Sequence, residues 1–226
     1  MLEDFKRVGR MLFTEGLVDS HGGDFSRRQG DRIYITRRDA MLGDLREGDL
    51  VEVGLEPGEN DKEASRELPT HRAIYRECPA EAIVHTHSAN AIAVSLTDNK
   101  IIPQDAEGLS VFRSAAIVRA HSAIASDEVA RLLPTFLQAP NVAAVVKGHG
   151  VFAVGKTVEE AYHYASALEN SCRVLIAVRS SGGQRPPERK EKPREMPRGP
   201  QHSMSHHRSA IPPGIGVMDR SRYKNR

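Results

Sequence analysis

At 226 residues, with 39% apolar and 27% charged side chains, the chain is long enough for one well-buried domain plus an appendage. Its two cysteines, Cys78 and Cys172, form neither a disulfide framework nor a metal-binding pair by spacing, which fits a reducing compartment. The formal net charge of +2 hides an asymmetry: residues 180–226 carry 11 Lys and Arg against 4 Asp and Glu, while residues 1–179 have a balance of −5.

The opening Met1-Leu2-Glu3-Asp4-Phe5 lacks the apolar core of a signal peptide, and no run approaches the roughly 18 apolar residues of a membrane helix. A soluble cytoplasmic protein without membrane contact is therefore expected. Leu2, Phe5, Val8, Met11, Leu12 and Phe13 recur at helical spacing up to Gly16. Residues 24–28 and 32–36 flank Gln29-Gly30-Asp31 as a hairpin, and residues 49–55 alternate as a third strand. Ser65 is placed to cap a helix that runs to Cys78, with Pro69 tolerated in its first turn and Pro79 ending it. A β-rich run over 82–87 precedes a helix over 89–96. A strand is expected near 111–119, a helix over 127–137, strands over 142–147 and 151–154, and a long helix over 157–179. Helices interspersed with hairpin-like strand pairs predict a layered α/β domain, residues 1–179, with a largely antiparallel sheet.

From Ser180 the text changes to Gly, Pro, Arg, Lys and Ser with few core-building residues, so residues 180–226 read as a disordered or loosely docked tail. A basic tail can bind nucleic acid or an acidic surface. With Tyr223 as its only aromatic, a solvated, self-repelling extension is the simpler reading.

In a strand, His85 and His87 point to the same side while Thr86 points away, so two imidazoles can reach one metal. An isolated pair of this kind is more often two polar residues on a half-exposed strand. His149 adds weight, because it sits in Gly148-His149-Gly150, a tight link between two apolar runs where glycines allow unusual backbone angles. Three histidines with an open fourth position are the pattern of a catalytic rather than a structural zinc. The remaining histidines are weaker candidates: His71 and His163 fall in expected helices, His21 and His121 in loops, and His202, His206 and His207 in the tail.

In order, the chain reads Gly22-Gly23-Asp24-Phe25-Ser26, Ile35-Thr36, Ser65-Arg66-Glu67-Leu68-Pro69-Thr70-His71, Val84-His85-Thr86-His87-Ser88 and Gly148-His149-Gly150. These segments resemble the successive motifs of the class II aldolase/adducin family over residues 1–179. The resemblance implies an α/β/α sandwich with a central, mostly antiparallel sheet, assembled as a homotetramer with active sites at subunit interfaces. It implies one Zn2+ per subunit on His85, His87 and His149, with Glu67 as the catalytic acid/base. A capping-box role for Glu67 fits its position nearly as well. The activity implied is a zinc-dependent aldolase acting on a short ketose phosphate through an ene-diolate, like fuculose-phosphate aldolase. Decarboxylation, epimerisation or dehydration at the same site, or a non-catalytic adducin-like binding module, are the alternatives.

The departures concern the anion pocket, where the resemblance points to Asp24, Thr36, Arg38, Ser65 and Arg66. Asp24 stands where an Asn is usual and would repel a phosphate, and Arg66 replaces a Ser. Arg38 or Arg66 would restore anion binding, or Arg66 would pair with Asp24 and close the pocket. The region where some relatives carry a tyrosine as distal acid has none here; Asp105 and Glu107 are the ionisable substitutes, and both also suit a turn.

Overall fold

The computed structural model describes residues 1–182; residues 183–226, most of the basic tail, lie outside the described residues. The chain runs α1 (Leu2–Thr14), β1 (Asp24–Gln29), β2 (Arg32–Thr36), β3 (Leu50–Gly54), α2 (Leu68–Glu77), β4 (Ala82–Thr86), α3 (Ala89–Thr97), β5 (Lys100–Ile101), α4 (Ala106–Val111), β6 (Ala115–Val118), α5 (Asp127–Leu132), β7 (Ala143–Val146), β8 (Gly150–Gly155) and α6 (Val158–Ser180), with short 3-10 turns between. No helix among the described residues is long and apolar enough to cross a membrane.

The strands form one sheet in the order β3-β2-β1-β4-β8-β7-β6-β5. Every neighbouring pair is antiparallel except β6 and β7. Strand alternation separates two cores. In β4, Ala82 and Val84 pack with Phe5, Val8 and Leu12 of α1 and Leu168 and Leu175 of α6. Ile83 between them faces Leu68, Ile74 and Tyr75 of α2 and Val129 of α5. Apolar residues on both faces thus make the sheet the middle layer of an α/β/α sandwich.

Two departures from the sequence expectations bear on the candidate site residues. Residues 106–111 are helical where a turn before a strand near 111–119 is expected, because the Asp105 carboxylate accepts the Gly108 amide at 2.7 Å and caps a short helix. The second concerns α2, which begins at Leu68 with Glu67 in the capping position. The Ser65 hydroxyl accepts the Glu67 amide at 3.1 Å and donates to Asp24 at 2.8 Å, so it stands outside the helix it was expected to cap.

One buried carboxylate fixes the segment that follows β4. Glu169, on α6, accepts the amides of Asn90 and Ala91 at 3.0 and 2.9 Å and the Asn90 side chain at 2.7 Å. It therefore satisfies the unpaired N–H groups at the start of α3 from across the core. Glu169→Ala is expected to destabilise the protein by roughly 1.5–3 kcal/mol, the range for hydrogen bonds to a charged group, read as a lower midpoint in denaturant.

Candidate metal centre

Each histidine reaches the centre for a local reason. His85 takes the α2 side of β4, two residues after Ile83, and stacks on Phe152, its cross-strand partner on β8, with ring centroids 4.1 Å apart. His87 follows the end of β4. A Cβ at Gly22 would come within 2.6 Å of its Nδ1 and 2.7 Å of Asp19 Oδ1, so a side chain there would shift the ring or the carboxylate. His149 sits in the turn between β7 and β8, after Gly148 at φ +72°. A Cβ on Gly150 would overlap the Thr86 carbonyl oxygen, so only glycine lets β8 start against the end of β4 and bring His149 to His85.

The ring centroids are 5.1 Å apart for His85 and His87, 4.7 Å for His85 and His149, and 5.3 Å for His87 and His149. One nitrogen from each lies within 4.8 Å of the others, close enough to hold a metal ion. The His85 Nδ1 donates to the Val151 carbonyl at 2.9 Å, which leaves Nε2 with its lone pair. That Nε2 is buried and has no hydrogen-bond partner, the condition a cation would relieve. Burial first, then the neighbouring imidazoles, pushes His85 well below the usual histidine range and His149 down to about 4. Both are therefore neutral near pH 7, as nitrogen ligands must be.

Beside the cluster, Glu67 Oε1 lies 3.8 Å from His149 Nε2. The same oxygen accepts the Ala125 amide at 2.7 Å, and Oε2 accepts the Thr70 hydroxyl at 3.0 Å. The carboxylate does not reach back to the helix start, so the capping-box role is not what its contacts serve. Burial, followed by the negative charge of Asp24, raises its pKa.

A buried polar chain runs behind Glu67. Asp24 Oδ2 accepts the Ser65 hydroxyl, and Oδ1 stands 2.8 Å from His71 Nε2, a close polar contact without the alignment of a hydrogen bond. On the other side of the ring, His71 Nδ1 meets Ser26 Oγ at 2.7 Å, which meets Tyr75 Oη at 2.8 Å. Burial alone would raise the Asp24 carboxyl, but His71 and the Ser65 hydroxyl outweigh it and hold the group well below the usual carboxylate range.

Residues 3–176 match the sequence profile of the Class II Aldolase and Adducin N-terminal domain. The chain belongs to the class II aldolase and adducin family. An L-fuculose phosphate aldolase of Methanococcus maripaludis is 33% identical over 179 residues, covering 78% of this chain and 97% of the relative. A methylthioribulose-1-phosphate dehydratase of Acidiphilium cryptum is 31% identical over 182 residues, covering 72% and 83%. Among solved structures, the L-fuculose-1-phosphate aldolase of Thermus thermophilus superposes with a TM-score of 0.77 at 32% identity, over 82% of this chain and 97% of that one. The fold expected from the resemblance is the fold found.

In this class II aldolase family member, the expected anion-pocket residues divide into two groups. Asp24, Thr36 and Ser65 are buried and linked: Thr36 Oγ1 accepts the Phe25 amide at 3.3 Å, and the Thr36 carbonyl accepts the Ser65 amide at 3.1 Å. Arg38 and Arg66 are exposed. Asp24 does not pair with Arg66; its partners are His71 and Ser65, and among the described residues Arg66 has no ion pair. The guanidinium is near enough for its charge to be felt at His149. Asp105 and Glu107 belong to the α4 region, which packs with α6, whereas the histidines face α2. Asp105 is engaged as a helix cap, and Glu107 is exposed.

The sequence assigns no role to Ser26, Thr70, Tyr75 or Ala125, and offers His71 only as a weaker metal candidate. A signal existed for part of this set. Glu67, His71 and Tyr75 are spaced at i, i+4 and i+8, which places three polar groups on one face of α2.

Proposed function

We propose that this class II aldolase family member is a zinc-dependent lyase that cleaves or forms a carbon–carbon bond of a short ketose phosphate, in the manner of an L-fuculose phosphate aldolase. The observation that carries the reading is the convergence of three imidazoles, one with a buried and unpartnered Nε2, beside a buried carboxylate. An all-imidazole donor set with no thiolate suits zinc and leaves a position open for substrate. Bound by His85, His87 and His149, zinc would supply stabilisation of the negative charge that develops on the substrate's carbonyl oxygen.

Glu67 then holds and returns the proton. Its Oε1 faces His149, and burial and the charge of Asp24 raise its basicity, the direction that proton uptake requires. Ser65 and His71 keep Asp24 charged, so Asp24 acts on Glu67 from behind rather than as a second acid. Phosphorylated substrates in the named activities of relatives support a sugar phosphate, with Arg66 and Arg38 as its ligands. Assembly as a homotetramer with interfacial sites and a cytoplasmic location complete the reading.

The second reading is a dehydratase, favoured by the Acidiphilium relative at nearly the same identity. Metal analysis of the purified protein followed by product analysis separates the two. With L-fuculose 1-phosphate an aldolase yields two carbon fragments, whereas with methylthioribulose 1-phosphate a dehydratase loses water and keeps its carbon skeleton. A protein without bound metal, inactive on both, would overturn the lyase reading in favour of an adducin-like binding module.

Arg66 gives a narrower test. Since Asp24 is already engaged by His71 and Ser65, Arg66→Ser should leave the melting temperature unchanged. Loss of a charge-assisted bond of roughly 1.5–3 kcal/mol should raise KM for a phosphorylated substrate about ten- to a hundredfold. KM for an uncharged analogue should not move. Equal loss for both substrates would remove Arg66 from the anion's contacts.

A further inference from the structure

We infer that Thr70 and the segment 121–126 form a clamp that positions the Glu67 carboxylate, an inference that rests on the reading of Glu67 as the acid/base. Each carboxylate oxygen has its own donor. Ala125 N–H reaches Oε1 at 2.7 Å, and the Thr70 hydroxyl reaches Oε2 at 3.0 Å. A carboxylate held at one oxygen still turns about its Cγ–Cδ bond, but two donors from different elements fix its plane. The clamp thereby decides which oxygen faces the histidines: it is Oε1, 3.8 Å from His149 Nε2.

The two jaws come from distant parts of the chain. Thr70 is fully buried on α2, one turn beyond Glu67. Ala125 has φ +47°, in the left-handed region that a residue with a Cβ seldom adopts. Ala125 keeps this conformation although Ile124, the one large apolar side chain of the segment, is 58% exposed and gives it little anchorage. Ala123 packs against the α2-side core, and polar contacts hold the rest. At the far end Glu128 accepts the amides of His121 and Ser122 at 2.8 and 3.4 Å, and the Ser126 hydroxyl donates to the Ser122 carbonyl at 2.6 Å. The near end is held by Glu67. Strain of this kind persists where surrounding contacts over-determine the backbone, and here those contacts converge on a candidate catalytic group.

Thr70 and Ala125 are positioning residues, because they act through Glu67 and not on the substrate. The hydroxyl and the amide do different work. The amide can only donate and holds Oε1 from behind, while the Thr70 hydroxyl holds Oε2, so the remaining lone pair of Oε1 is the one left for the site.

The test has two arms, both on the full-length metal-loaded protein. In the first, hydrogen exchange is followed by mass spectrometry in Glu67→Ala. The Ala125 amide should exchange at least about tenfold faster while β4 and β8 keep their protection. Unchanged protection at Ala125 would overturn the clamp. In the second, turnover is measured on whichever of the two sugar phosphates the wild type converts. Thr70→Val, which keeps the shape and loses the donor, should lower kcat about tenfold with KM within about twofold and metal content unchanged, and Thr70→Ser should restore kcat. In a Glu67→Gln background, Thr70→Val should cost nothing further, because its role passes through the carboxylate. The same loss in both backgrounds would make Thr70 merely structural and sink the proposal. If Glu67→Gln itself retains full turnover, the acid/base reading fails, and the exchange result still judges the clamp.

Discussion

His149→Ala is expected to lower zinc affinity by about a hundredfold or more, since loss of even an outer-shell partner of a ligand costs roughly 10- to 100-fold. His149 is the better choice for the test than His85. The His85 ring stacks on Phe152 and bonds the Val151 carbonyl, so removing it would open a cavity in the α2 layer and confuse lost metal with lost packing. His149 is held in a turn by its own backbone, with its amide on the Val146 carbonyl at 3.0 Å, and its Nδ1 is buried without a partner. The metal-free variant should therefore fold like the metal-free wild type. Zinc at about 100 times its dissociation constant should stabilise the wild type by about 2.7 kcal/mol in thermal unfolding, and the variant should show almost none of this. Full zinc content in purified His149→Ala would move the site elsewhere.

The parts of this centre legible in the sequence depend on short-range geometry. The His85 and His87 pair is a consequence of strand alternation, and the turn at His149 is announced by the glycines beside it. What was not legible depends on which strands meet. Asp24 stands opposite His85 because β4 pairs with β1 on one side and β8 on the other, an order that no local pattern encodes. Without that register, Arg66 was as plausible a partner for Asp24 as any residue. The true one, His71, looked like an ordinary helical histidine. Ala125 was hidden for a different reason: left-handed backbone is read from Gly or Asn, and Ser122-Ala123-Ile124-Ala125-Ser126 contains neither. The helix over 106–111 stands where Asp105 and Glu107 suit a turn, because the residue types that form turns are also those that cap helices.

Glu67→Gln should reduce turnover by roughly two to four orders of magnitude, the range for removing a positioned acid/base, with zinc content unchanged. The contacts of Glu67 explain why this substitution is tolerated structurally. A Gln carbonyl oxygen in the place of Oε1 would still accept the Ala125 amide, and its NH2 in the place of Oε2 would donate to the Thr70 hydroxyl, which can reverse its role. Only one of the two amide orientations satisfies both partners, so the side chain should be ordered. The stability change has a definite sign. Burial and the neighbouring Asp24 charge raise the Glu67 pKa above its unfolded value, so the ionised carboxylate opposes folding once the pH exceeds that value. Replacing it by a neutral amide removes this contribution, and the melting temperature of the metal-free protein at neutral pH should stay level or rise. A zinc-replete and nearly inactive protein, whose metal-free form is at least as stable as the metal-free wild type, is the expected combination, read from steady-state rates, metal analysis and a thermal melt of the metal-free proteins. Near-normal turnover would transfer the proton to Asp105 or Glu107. That outcome would require a second subunit or a rearrangement to bring α4 to the histidines, because within one chain α4 lies with α6 in the other layer.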